Sequence, residues 1–162
     1  MEITRSKRLA AIGVALAAVT TVGAVAGTAP AHAAVPPARC GTVNPASATG
    51  VHTARTSYVT KYGHTLKIEV RYGNLHGHQY GWARISNANG GHLRKGDRVW
   101  LDVTNNSGHT HVGPCGAKNA RGTETNIWST AVRTSNYSSF RIRAAGGIRT
   151  STGWWMNLTT WW

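Results

Sequence analysis

From Thr65 onward the chain alternates apolar and polar side chains, with Leu66, Ile68, Val70 and Tyr72 on one parity and Lys67, Glu69 and Arg71 on the other. A period of two predicts a half-buried strand whose first set faces a core and whose second set faces outward. Trp82 to Ile85 is expected to pair with it across a loop over 73–81, which is bounded by Gly73 and Gly81 and polar inside. A turn over 87–96 leads to a second alternating run, 97–104. There Val99, Leu101 and Val103 point inward and Arg98, Trp100 and Asp102 outward. Further strands are predicted over 128–133, 140–143 and 154–160; in the last, the parity of Trp154, Met156 and Leu158 assigns Trp154 to the core. No stretch has a convincing helical period. Short strands between Gly- and Ser-rich turns predict an all-β fold, a single small antiparallel β-sandwich or partly closed barrel.

The N-terminus does not follow this pattern. Residues 1–33 combine a basic start (Arg5, Lys7, Arg8), an apolar stretch over 9–25 and the small-residue ending Ala31-His32-Ala33, which predicts a secretory signal peptide cleaved after Ala33. There is no twin-Arg pair, and Pro37-Ala38-Arg39 is a poor lipobox ahead of Cys40. A released, extracellular product without a transmembrane anchor is expected. Residues 34–50, rich in Pro, Ala and Ser, are expected to form an irregular arm, and 51–162 the single β domain.

Export changes how the cysteines and the charge are understood. The mature chain has only Cys40 and Cys115, in a compartment where oxidation is permitted, so one disulfide is the natural expectation. Two free thiols or a Cys-based metal site are the alternatives, and neither has a Cys-x-x-Cys spacing behind it. Losing Arg5, Lys7, Arg8 and Glu2 from 18 basic and 5 acidic residues leaves a formal charge of 15 − 4 = +11. Such a field attracts polyanions and acidic surfaces.

Several short motifs then occur in order: Cys40-Gly41 with Pro45, Ile68-Glu69-Val70-Arg71-Tyr72, Trp82-Ala83-Arg84-Ile85, and Gly96-Asp97-Arg98-Val99. Together they resemble the YjfA-like family of small secreted domains from Gram-positive bacteria, over roughly residues 40–103. The resemblance implies secretion and a small β domain but, the family being one of unknown function, no activity. Its members commonly carry cysteine where Val51 stands and in the loop held here by residues 75–78, so their local bridge cannot form in this chain. A Cys40–Cys115 bond is the substitute that the departure implies.

The chemistry therefore has to come from the residues themselves. His76 with His78, and His109 with His111, form His-x-His pairs, and residues two apart on a strand share a face, as a zinc or copper site requires. Both pairs lie in Gly/Asn/Ser-rich segments with no carboxylate nearby, so solvated loops are expected, with no metal and no other cofactor. Glycoside hydrolysis needs paired carboxylates, and the mature chain offers only Glu69, Asp97, Asp102 and Glu124. No local signature of a Ser, His and Asp triad is present, and no enzyme is expected.

Basic and aromatic residues occur together instead. Lys67 and Arg71 line one strand face, Arg141 and Arg143 flank Ile142, and Trp100 lies outward between Arg98 and Asp102. Trp155 and Trp161 are the other tryptophans expected at the surface. Aromatic faces stack on sugars while Lys and Arg take phosphate or carboxylate. No motif for specific nucleic-acid binding is present. The expected function is a secreted, non-enzymatic binding module for anionic cell-wall polymers or glycans; the alternative is a secreted effector or antimicrobial protein acting on competitors or membranes.

Overall fold

The alternation at Leu66 produces strand β2 (His64–Leu75), in which Leu66, Ile68 and Val70 are completely buried. The computed structural model describes residues 35–162, so the expected signal peptide lies outside the described residues. β2 is the centre of a meander between β1 (Thr49–Lys61) and β3 (His78–Asn87). Both hairpins close through two residues in the left-handed region, Tyr62 (φ 51°) with Gly63 (φ 66°) and His76 (φ 50°) with Gly77 (φ 76°). Turns of this hand match the twist of the flanking strands. The expected loop over 73–81 is thus corrected to a turn of His76 and Gly77, because the ladder continues out to the Leu75–His78 pair.

Two short strands, β6 (Asn126–Trp128) and β7 (Val132–Arg133), complete a five-stranded first sheet by pairing with β3. The single strand expected over 128–133 is interrupted where Ala131 bridges Val43 of the N-terminal arm. A second, four-stranded sheet has the order β5 (Val112–Asn119), β4 (Arg98–Thr104), β8 (Arg141–Thr150) and β9 (Gly153–Leu158). All pairings are antiparallel. The two sheets pack face to face without closing on each other, so of the two expected architectures the sandwich is found and the barrel is not.

The core lies between the sheets. Leu66, Ile68, Val70 and Ile85 from the first meet Val99, Leu101, Val103, Ile142 and Ile148 from the second. Gly146 permits this spacing, since a Cβ there would stand 2.7 Å from Ile68 Cγ1 and 2.8 Å from Ile85 Cγ2. Burying these side chains is the main favourable term, at about 1.5–3 kcal/mol for each.

Two cross-links fix the edges. Cys40 and Cys115 form a disulfide that ties the arm to β5 across 75 positions. The arm contains a 3-10 turn (Pro45–Ser47) capped by the Asn44 side chain, and it gives way to β1 at Thr49. His64, at the start of β2, places its Nε2 2.7 Å from Asp97 Oδ2, with both side chains buried. That pair anchors the connection from β3 to β4, where the Arg94 backbone N–H donates to the same oxygen at 2.8 Å.

Candidate functional site

The outward positions of the second sheet create a trough. Arg98, Trp100 and Asp102 of β4 stand opposite Gly147, Ala145 and Arg143 of β8. Across β8, Ala145, Gly147 and Arg149 stand opposite Leu158, Met156 and Trp154 of β9. Between Arg143 and Arg149 the central strand thus contributes only a methyl group and a hydrogen, flanked by two rows of large side chains. The result is an open cleft of about 340 Å³ lined by Arg98, Trp100, Asp102, Arg143, Trp154 and Met156, with His111, Gly113, Pro114 and Leu158. A Cβ at Gly147 would meet Trp154 Cβ at 3.1 Å, so the smallness of that residue preserves the space.

Trp154, expected in the core, is corrected to this outer wall. The core-facing residues of β8 are Ile142, Ala144 and Ile148, so the partners of Arg149, Gly147 and Ala145 must face outward. Trp154 is only half-buried, with its indole N–H donating to the Gly96 carbonyl at 3.1 Å.

Arginines interleave with the tryptophans along the trough. The Arg98 guanidinium lies 5.9 Å from the Trp100 ring centroid and 4.9 Å from that of Trp154, and Arg149 lies 4.5 Å from Trp154 on its own account. Toward the other end, Arg143 sits 4.4 Å from the Trp161 ring and donates from Nε to Asp102 Oδ2 at 2.9 Å. His111 Nε2 is 3.8 Å from the same oxygen. Asp102 is 3% exposed and tightly enclosed: any Cβ at Gly113 would collide with its Oδ1. The two ends therefore differ in charge balance. Arg143 is matched by Asp102, whereas Arg98 and Arg149 have no ion pair among the described residues.

The residues singled out in the sequence are divided among several places. Trp100 and Arg143 line the trough, and Trp161 lies beside Arg143. Trp161, expected to be exposed, is half-buried against Arg143 and His111. Lys67 and Arg71 lie on the opposite outer face, where they and Arg84 surround Glu69. Arg141 is at the start of β8, its Nη1 donating to the Phe140 carbonyl at 2.8 Å. Trp155 is 53% exposed at the sandwich rim, with Lys61 Nζ 4.5 Å from its ring. The sequence pattern does not point to Arg149, its parity directs Trp154 inward, and it gives Arg98 only as an outward position. The parity of Arg98 with Trp100 was the available signal.

Glu69 is 2% exposed. Burial acts to raise its carboxyl, but Lys67, Arg84 and the Thr53 hydroxyl outweigh that and hold it below the ordinary 4.5. The imidazoles do not converge. His76 and His78 are exposed at the hairpin tip, and His78 Nδ1 lies 3.0 Å from Arg133 Nη2. Cys115, bonded to Cys40, has no free thiol to offer beside the His109 and His111 pair. Among the described residues no group of three or more His, Cys, Asp or Glu side chains is placed to hold a metal ion. No family model, no curated protein and no solved structure matches the chain, so the YjfA-like resemblance has no support beyond the short motifs that carry it.

Proposed function

We propose that the chain is an exported, non-enzymatic binding module whose trough engages anionic cell-wall polymers or acidic glycans. The observation that carries this is the cluster at the end of the trough in which the Arg98 and Arg149 guanidiniums lie 4.9 and 4.5 Å from the one Trp154 ring centroid, without a carboxylate partner. A guanidinium attracted to an indole still has its N–H donors to offer carboxylate or phosphate oxygens. Trp100, Met156 and Leu158 supply apolar surface beside those donors, as the faces of sugar rings require. An open trough on a sheet face suits a length of polymer better than an enclosed small metabolite.

The four carboxylates of the described residues favour binding over catalysis. Glu69 is held by Lys67, Arg71 and Arg84, Asp97 by His64, Asp102 by Arg143, and Glu124 by the Arg121 backbone N–H. None of them is paired with another carboxylate for acid and base work. The disulfide fits an oxidising compartment, and no helix among the described residues is long and apolar enough to cross a membrane. Sedimentation of the purified mature protein with Gram-positive wall preparations tests the proposal. Co-sedimentation that Arg98→Ala with Arg149→Ala weakens is expected. Wild-type protein that stays in the supernatant and instead arrests the growth of other bacteria would support the effector alternative.

A further inference from the structure

The outer face of the first sheet carries a second arrangement of cations and indoles, directed away from the trough. We propose that it is a second anion-binding site, and that the module bridges two polyanion chains instead of covering one. This bridging presupposes the role proposed for the trough.

On that face Lys67, Arg71 and Arg84 converge on the single carboxylate of Glu69. Glu69 is already well served: Lys67 Nζ stands 3.0 Å from Oε1, and the Thr53 hydroxyl donates to the same oxygen at 3.1 Å. The two guanidiniums stand further off, at 3.7 Å for Arg71 and 3.6 Å for Arg84. The Nε of each is buried and makes no hydrogen bond. One carboxylate leaves three cations with an excess of positive charge, and the solvent-reached parts of the two guanidiniums have donors that a ligand oxygen can take up.

The surroundings are built for such a ligand. Arg71 pairs in register with Trp82, and Arg84 with Trp128, so each arginine neighbours a tryptophan position on the same face; Trp82 is buried, and Trp128 is the half-buried ring of the two. Both arginines line a cleft of about 160 Å³ with Trp82, Asn126 and Trp128. Their side chains are 18% and 31% exposed, so solvent reaches them. Lys118 Nζ, 5.5 Å from the Trp128 ring, adds a cation at the rim. A phosphate or carboxylate group, with several acceptor oxygens, matches two neighbouring guanidiniums.

Opposite faces of a sandwich look in opposite directions. Short polymer segments held on the two faces therefore belong to separate strands, or to distant parts of one long strand. Two weak sites then act together through effective concentration, and the polymer becomes cross-linked.

Heparin is a suitable probe, titrated into the mature protein at low salt while light scattering reports cross-linking and heparin-agarose retention reports binding. Wild-type scattering should rise to a maximum and fall in excess heparin. The trough variant Arg98→Ala with Arg149→Ala should still be retained but lose the scattering. Glu69→Gln with Arg71→Gln and Arg84→Gln, which removes two of the three cations together with the carboxylate they surround, should do the same. Arg84→Lys, which keeps the charge beside Glu69 but loses the planar fork, should reduce scattering with an unchanged melting temperature. Lys95→Gln with Arg121→Gln removes two exposed cations from neither face and should scatter like wild type. Wild-type protein that is retained without scattering would overturn bridging while leaving the trough proposal standing, as would a Glu69, Arg71 and Arg84 variant that scatters fully. Equal loss in the Lys95 and Arg121 control would reduce bridging to net charge and overturn it too. Absence of any retention would overturn both proposals.

Discussion

The guanidinium of Arg98 lies 4.9 Å from the Trp154 ring centroid, and the same ring carries Arg149 at 4.5 Å. Trp154 therefore positions two cations, whereas Trp100 contacts only one of them, at 5.9 Å. Each such contact is worth about 0.5–1 kcal/mol at an exposed site. Trp154→Ala should accordingly elute from heparin at lower salt than Trp100→Ala. Equal elution of the two would show that the shared stack does not organise the arginines.

Glu69 gives the stability a sign in acid. Its folded value lies below 4.5, so the folded state binds this proton more weakly than the unfolded state does. The contribution is complete above 4.5 and is lost as pH falls through the lower folded value. Urea unfolding should show stability declining below pH 4.5, and Glu69→Gln should flatten that decline while costing about 1–2 kcal/mol at neutral pH, because the pairing cations are partly solvated. An acid limb unchanged in Glu69→Gln would assign the pH dependence to another group.

The His64–Asp97 pair predicts a larger loss. Asp97 is 0% exposed, its Oδ1 has no hydrogen-bond partner, and His64 supplies one of the two close donors to Oδ2. His64→Ala leaves that carboxylate buried with the Arg94 backbone N–H, a loss of roughly 3 kcal/mol. Chemical denaturation measures it directly; a change under about 0.5 kcal/mol, the range of ordinary surface substitutions, would mean water replaces the imidazole without cost.

Reducing Cys40–Cys115 opens a loop of 75 positions, for which the chain-entropy relation gives about 4 kcal/mol. The melting temperature should fall markedly in reductant, as it should for Cys40→Ala with Cys115→Ala. An unchanged melt would show that the arm contributes nothing to holding β5.

The strands with strict alternation were legible in the sequence. Leu66, Ile68 and Val70, and likewise Val99, Leu101 and Val103, lie in the core as their parity requires. β1 was not, because as an edge strand paired only with β2 it is largely exposed and lacks an apolar parity: Thr49–Lys61 buries only Val59 fully. The β2–β3 turn was overestimated since His76, a non-glycine residue at positive φ, hides a tight turn inside a polar stretch. The trough depends on which strand stands beside which. Arg98 and Trp154 are distant in sequence and meet only because β8 separates β4 from β9 with Ala145 and Gly147. The inward expectation for Trp154 fails for the same reason: alternation along one strand gives two faces without saying which is the core.

The most direct measurement of the trough's role is the salt dependence of heparin affinity for wild type, for Arg98→Ala with Arg149→Ala, and for the charge-matched Lys95→Gln with Arg121→Gln. Each ionic contact contributes roughly 0.7–0.9 to the slope of log affinity against log salt. Wild-type affinity should fall steeply with salt, and the trough variant should bind more weakly with a slope shallower by about 1.5, while the control keeps the wild-type slope. Identical slopes for the trough variant and the control would mean that Arg98 and Arg149 hold no anion and that the attraction is net charge alone.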